Sequence, residues 1–201
     1  MTKKERAKIV MTELEKIYPE VPIPLNHKNA YELLVAVALS AQTTDKKVNE
    51  VTPKLFSVAP NPQKMAALEE PEIKELIKEI GLSTTKAKNL KLMANQLLER
   101  HNGEVPATFE DLENLAGVGH KTASVVMSQA FGFPAFPVDT HIHRLMKQWK
   151  LTEGKNVVQT ENDAKKLFPK ETWNKLHLQI IFYGREYSPA RGNQERDYIT
   201  K

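Results

Sequence analysis

Residues 30–41, AYELLVAVALSA, are apolar on almost every side of a helical wheel, and no sustained two-residue alternation occurs anywhere in the 201-residue chain. A helix that is apolar all round has to be enclosed by other elements, and at about a dozen residues this one is too short to span a bilayer. The chain supplies the enclosing elements. Ile9, Val10, Leu14, Ile17 and Tyr18 recur at helical spacing, as do Ile73, Leu76, Ile77 and Ile80, then Leu90, Met93 and Leu97, and finally Trp173, Leu176, Ile180 and Tyr183. Punctuation agrees: Pro71 marks a helix start and Gly81 its end, and Asn102-Gly103 closes the next. Pro53, inside the helical pattern of residues 48–56, predicts a break or kink there. The expectation is an all-α protein of one or two domains.

The chemistry concentrates in LAGVGHKTASVVMSQAFGFPAFPVDTHIHR, residues 115–144. Thr108 and Asp111 form a helix-start signal, so a short helix runs through Phe109, Leu112 and Leu115 and stops at Ala116-Gly117. Gly117 and Gly119 bracket Val118, and a second helix begins near His120. Two glycines at that spacing permit a sharp turn and bring backbone N–H groups close to a ligand. The following helix start offers unpaired donors and positive potential to a phosphate. The same three residues also suit a plain helix-turn-helix corner with a glycine C-cap. Lys121 shifts the balance, because a cation in a first helical turn opposes the macrodipole. If partly buried it becomes an amine nucleophile able to form a Schiff base; otherwise it is an ordinary solvated or phosphate-contacting lysine. Asp139, after a loop set by Gly132, Pro134 and Pro137, reads as an N-cap.

LAGVGHKTASVV followed by FPVDTHIHRL resembles the helix-hairpin-helix DNA glycosylases, and within them the endonuclease III family. LSAQTTDKKVNEVTPKLF (39–56), IGLSTTKAKNL (80–90) and HNGEVPATFEDLENL (101–115) resemble that family in the same order, so the likeness covers nearly the whole chain. It implies base-excision repair of damaged double-stranded DNA: a base, an oxidised pyrimidine in the leading reading, is extruded and excised, and the abasic site is nicked by β-elimination. Lys121 matches the lysine that attacks the sugar and leaves a covalent imine, and Asp139 matches the aspartate that assists the attack and stabilises positive charge on the sugar. Gln42 and Leu82 match the pair inserted into the duplex when the base leaves; extrusion costs a few kcal/mol, which filling the gap offsets. Without the resemblance, Leu82 reads as core and Gln42 as surface, while Asp45 reads as a helix N-cap. Gly117, Val118, Gly119, His120 and Thr122 of the hairpin, and His141, are expected at the DNA, with Arg144 beside them. The resemblance further implies two helical domains, one over residues 23–133 and one built from 1–22 and 134–201. The cleft between them would have Lys121 and Asp139 on either side.

The chain departs from its relatives in having no cysteine. Most endonuclease III proteins hold a four-iron, four-sulfur cluster near the C-terminus, and cluster iron takes thiolate ligands. After IIFYGREY, Ser188 occupies the expected first ligand position, and the six histidines are dispersed, so no cluster and no catalytic metal is expected. Apolar contacts from Trp173, Phe182 and Tyr183 to tail residues such as Tyr198 are expected to order this region instead, and Arg185, Arg191 and Arg196 are candidate DNA contacts. His120 and Ala116 also depart from the arginine and proline frequent in relatives.

The formal charge of +4, from 29 Lys plus Arg against 25 Asp plus Glu, suits a polyanionic partner but is modest for one. Local clustering has to carry more, and Lys46, Lys47, Lys86, Lys88, Lys91 and Lys121 are candidates for neutralising phosphates, although such spacings also describe the wet side of amphipathic helices. No signal segment or membrane span is apparent, so a soluble cytoplasmic or nucleoid-associated protein is expected, and the resemblance implies a monomer. Two alternatives stay open: the same fold acting on mismatched pyrimidines or on alkylated or oxidised purines, and a non-catalytic DNA-binding module. The second has no use for a Lys121–Asp139 pair.

Overall fold

The computed structural model describes residues 1–189 and 197–199, which contain helices and no strand. The helices are α1 (Lys3–Ile17), α2 (Ala30–Leu39), α3 (Asp45–Val58), α4 (Pro62–Ala67), α5 (Glu70–Leu76), α6 (Ser83–His101), α7 (Phe109–Glu113), α8 (His120–Phe131), α9 (Thr140–Gln148), α10 (Val157–Leu167) and α11 (Trp173–Glu186), with a 3-10 turn over Lys170–Thr172. The chain separates into two compact units, Pro24–Phe131 and Met1–Ile23 with Gly132–Lys201.

In the Pro24–Phe131 unit, α2 is the central element. Asn29 caps it by accepting from the Glu32 N–H (2.9 Å), and Leu33, Leu34, Val35, Ala36 and Leu39 are wholly buried. It packs on α3, α6 and α8, while α4 and α5 lie along the long α6. Helix α3 continues past Pro53, so of the predicted break or kink the break does not occur. Pro53 lies on the exposed face, where water can take the Asn49 carbonyl that lost its donor. Its N-cap is Thr44, which moves Asp45 from the cap into the first turn, still favourable to the helix dipole. Helix α5 stops at Leu76, short of Gly81; Ile77 and Ile80 remain buried, but in a turn. The periodicity there reports burial that outlasts the helix.

The other unit has its own core, with Leu14 of α1, Phe136, Trp149, Ile180 and Tyr183 wholly buried. Its helix α11 packs on α1 and α9. The α9–α11 contact depends on Gly184, where a Cβ would stand 3.0 Å from the His141 Cβ and 3.1 Å from Leu145. No described helix is long and apolar enough to cross a membrane.

Candidate active site

The glycine hairpin forms where the sequence places it. Thr108 caps α7 through the Asp111 N–H (3.1 Å), and α7 ends at Glu113, before Leu115. Leu115 and Val118 are buried as apolar anchors, and the Val118 N–H closes a turn onto the Leu115 carbonyl (3.2 Å). Gly117 adopts φ +75°, and a Cβ there would lie 3.1 Å from the Asn89 Cβ on α6. Gly119 is different: a Cβ would meet nothing within 4 Å, so its missing side chain leaves backbone open to an incoming group. The Ala116 N–H donates to Gln96 Oε1 (2.7 Å), pinning the corner to α6. His120 stacks on Phe109 (5.7 Å) with Nδ1 2.6 Å from Glu113 Oε1, while Thr122 is half-buried in the first turn. Lys121 is exposed in that turn, so the described residues do not bury it.

Gln42 and Leu82 share an uncommon backbone state. Both are non-glycine residues in the left-handed region, with φ +57° and +60°, and both are exposed, Leu82 by 58%. Leu82 is therefore not core; it is the residue from which α6 springs. A Cβ on Gly81 would lie 3.9 Å from the Gln42 carbonyl, so the two loops are neighbours.

The proposed phosphate-neutralising lysines divide. Lys46, Lys88 and Lys121 are exposed. Lys47 is engaged with Glu50 (2.8 Å) and Glu79 (3.0 Å), and Lys91 holds the Ala66 and Leu68 carbonyls. Lys86 is 7% exposed, and its ammonium donates to the Leu39 and Ala41 carbonyls and to Thr43 Oγ1. It is part of the interior, and burial holds its pKa below the usual lysine value.

In the second unit Asp139 is the N-cap of α9: Oδ1 accepts from the Ile142 N–H (2.8 Å), and among the described residues Oδ2 makes no hydrogen bond. The segment before it is fixed by the Ala135 N–H donating to Asn174 Oδ1 (3.1 Å), by Phe136 stacked on Phe168 (5.9 Å) and by buried Val138. His141 lies against Gly184, with Nδ1 3.3 Å from the Arg144 guanidinium, which also donates to the Ser188 carbonyl.

Among the described residues after α11, aromatic contacts are joined by a buried carboxylate. Trp173 donates to the Phe168 carbonyl (2.9 Å), and Phe182 pairs with Tyr18. Tyr183 and Tyr198 do meet (6.1 Å), with Tyr187 stacked on Tyr183 (4.8 Å). The centre of the arrangement is the carboxylate of buried Asp197, which accepts from Trp149 Nε1 (3.2 Å), Gln148 Nε2 (2.6 Å) and the Tyr183 hydroxyl (2.8 Å). Burial, reinforced by that carboxylate, pushes the Tyr183 phenol above the usual tyrosine range, so it stays a donor. Ser188 is buried, and no group of three or more His, Cys, Asp or Glu side chains suited to a metal occurs among the described residues. A hydroxyl and an engaged carboxylate do not fit an iron–sulfur cluster, whose iron requires thiolates. Arg185 lies over the Phe182 ring; Arg191 and Arg196 lie outside the described residues.

The HhH-GPD superfamily of base excision DNA repair proteins matches residues 35–170. The chain is 44% identical over 191 residues to endonuclease III of Haemophilus influenzae and equally to that of Escherichia coli, spanning 95% of this chain and 90% of each relative. The structure of a trapped endonuclease III–DNA covalent intermediate matches with a TM-score of 0.93 and 39% identity, over 96% of this chain and 92% of that one. A thermostable thymine-DNA glycosylase, 23% identical with a TM-score of 0.80, shares the fold. With a two-glycine hairpin opening α8, a lysine directly behind it and identity of this extent along the chain, the protein belongs to the HhH-GPD superfamily of base excision DNA repair proteins, among the homologues of endonuclease III.

Proposed function

We infer that the protein is a base-excision repair DNA glycosylase with abasic-site lyase activity, acting on oxidised pyrimidines in duplex DNA. The observation that carries this is Lys121, an exposed amine in the first turn of α8 immediately behind Gly119, in a chain that matches a trapped covalent endonuclease III–DNA intermediate at a TM-score of 0.93. The backbone of Gly117 to Gly119, with the first N–H groups of α8 at His120 and Thr122, cradles a phosphate. Lys121, once it has shed its proton, attacks the sugar C1′; the glycosidic bond breaks, the base departs with the bonding pair, and an iminium forms between Nζ and the opened sugar. Loss of a C2′ proton then expels the 3′ phosphate. Asp139 supplies a carboxylate whose free oxygen assists the attack and stabilises positive charge on the sugar. Gln42 and Leu82, exposed and preset in the left-handed state, fill the space the base vacates.

The enzyme works as an intracellular monomer with no iron–sulfur cluster; the absence of cysteine from all 201 residues supports the latter. Iron analysis of purified protein is expected to find none, and the visible spectrum is expected to be featureless.

The decisive test is borohydride trapping on duplexes carrying single lesions. A covalent adduct is expected that disappears in Lys121→Ala, with base excision falling by about 10³-fold or more. Trapping on no lesion and no abasic site would sink the lyase reading, and a lesion panel that traps best on a purine or a mismatch would reassign the substrate. Asp139→Asn is expected to slow turnover by about 10²- to 10³-fold with duplex binding retained; near-normal turnover would reject its role.

A further inference from the structure

The left-handed backbone at Gln42 and Leu82 costs free energy for side chains of this kind, and both side chains are exposed, with no side-chain hydrogen bond among the described residues to repay it. Something in the surroundings must impose the conformation. Three observations identify it. The Lys86 ammonium donates to the Ala41 carbonyl (2.6 Å) and Thr43 Oγ1 (3.2 Å), the residues on either side of Gln42, and to the Leu39 carbonyl (2.9 Å) at the end of α2. The backbone N–H of the same residue donates to the Leu82 carbonyl (2.9 Å), closing the first turn of α6 behind the second exposed side chain. Gly81, between the two loops, is close enough to the Gln42 carbonyl that a Cβ would be in contact with it.

We propose that Lys86 is a positioning residue for base extrusion, holding the Gln42 loop and the Leu82 corner in fixed register so that both side chains enter the duplex together. The inference rests on the glycosylase reading above. The bland account of Lys86 is that it caps the C-terminal carbonyls of α2, where a cation complements the helix dipole. That accounts for Leu39. It does not account for the two contacts that bracket Gln42, nor for placing a costly buried ammonium where an apolar side chain would pack α6 against α2. A lysine serves because one compact head carries three donors and can meet three acceptors that converge from different directions. Helix α6 then indexes both halves of the DNA-contacting surface of this unit, with Leu82 at its start, Lys86 one turn on, and Asn89 a further turn on against Gly117 of the hairpin.

The test separates extrusion from chemistry. Single-turnover excision from a duplex carrying one thymine glycol is compared with cleavage of a pre-formed abasic site, which has no base to extrude, in the unmodified protein, Lys86→Met, Gln42→Ala and the double variant. Lys86→Met is expected to slow excision by about 10- to 100-fold while abasic cleavage, scaled to the trapped adduct, stays within about threefold. The double variant is expected to excise no more slowly than Gln42→Ala. Equal losses on both substrates, multiplicative losses in the double variant, or excision undiminished in Lys86→Met would each overturn the proposal. Should Lys86→Met not fold, the absence of cysteine offers another route. Lys86→Cys, aminoethylated in denaturant and refolded, regenerates a lysine isostere at that position alone, and thialkylation to a neutral group of equal length is the control. Recovery of excision specific to the aminoethylated protein is expected; equal recovery in both would overturn the proposal. Failure of the unmodified protein to trap on any substrate would instead count against the glycosylase–lyase reading.

Discussion

Lys86 in one unit and Asp197 in the other are buried charged side chains that gather polar groups around them, and the two do different work. In the Pro24–Phe131 unit the Lys86 ammonium gathers backbone carbonyls and a hydroxyl around an exposed loop. In the other, the Asp197 carboxylate gathers an indole, an amide and a phenol belonging to α9, the residue after it and α11. The acceptors of Lys86 are the Leu39 carbonyl at the end of α2, which other contacts already hold, and the Ala41 carbonyl and Thr43 hydroxyl of the loop beyond it, so removing the cation relaxes that loop. The donors of Asp197 are side chains of Trp149 and Tyr183, both wholly buried, so removing the anion strands polar hydrogens in a core. One charge therefore sets geometry and the other sets stability.

The largest effect expected from this contrast is on the carboxylate. Asp197→Ala leaves the Trp149 and Tyr183 donors buried without that acceptor and, at about 1–3 kcal/mol for each stranded neutral donor, is expected to cost about 2–5 kcal/mol in denaturant unfolding. Asp197→Asn keeps one acceptor and is expected to cost about 1–2 kcal/mol. A loss below half a kcal/mol in the alanine variant would show that Asp197 does not hold this core together.

The hairpin provides a smaller contrast between its two glycines. Gly117→Ala meets both a left-handed backbone and Asn89, and is expected to destabilise by about 1–2 kcal/mol. Gly119→Ala meets open space, so its stability is expected to stay within about 0.5 kcal/mol while duplex affinity drops by about tenfold. Equal affinities in Gly119→Ala and the unmodified protein would show that the open backbone beside Gly119 is not a phosphate cradle.

What the sequence discloses follows the range of the interaction responsible. Thr108, Asn102-Gly103 and Asp139 act within one turn of themselves, and the helices begin and end accordingly. The hairpin is equally local, and its Lys121 is visible because it breaks a rule about first turns. Lys86 and Asp197 break no local rule. Lys86 sits in the charged run KAKNLK and reads as the wet face of a helix, yet its carbonyl partners lie 45 and 47 residues away. Asp197 is one acid in a polar tail whose donors lie 14 and 48 residues back. A buried charge is announced only by what converges on it, and convergence over that distance is a property of the fold. The left-handed state of Gln42 and Leu82 is hidden for the same reason, because glycine would have signalled it and neither is glycine.

The smallest effect, and the sharpest on the comparison, comes from pH. Near neutrality Lys86→Met is expected to change stability by no more than about 1–2 kcal/mol, since relief of the desolvation cost offsets the lost hydrogen bonds. Burial places the folded-state pKa of Lys86 below its ordinary value of 10.5. Below that folded pKa both states hold the proton, and the full penalty of a buried charge is present. Between the folded pKa and 10.5 the unfolded chain binds more protons than the folded one, so stability rises with pH relative to the methionine variant, which lacks the group. Function should move the other way. A neutral amine has two donors for three acceptors, so one contact is released as the proton leaves, and excision relative to abasic cleavage is expected to fall across the same window. The ratio removes whatever pH dependence the two reactions share. Stability and extrusion responding in opposite directions to one proton would mark Lys86 as a residue kept for geometry. If both rose together, the ammonium would be no more than a tolerated cap on α2.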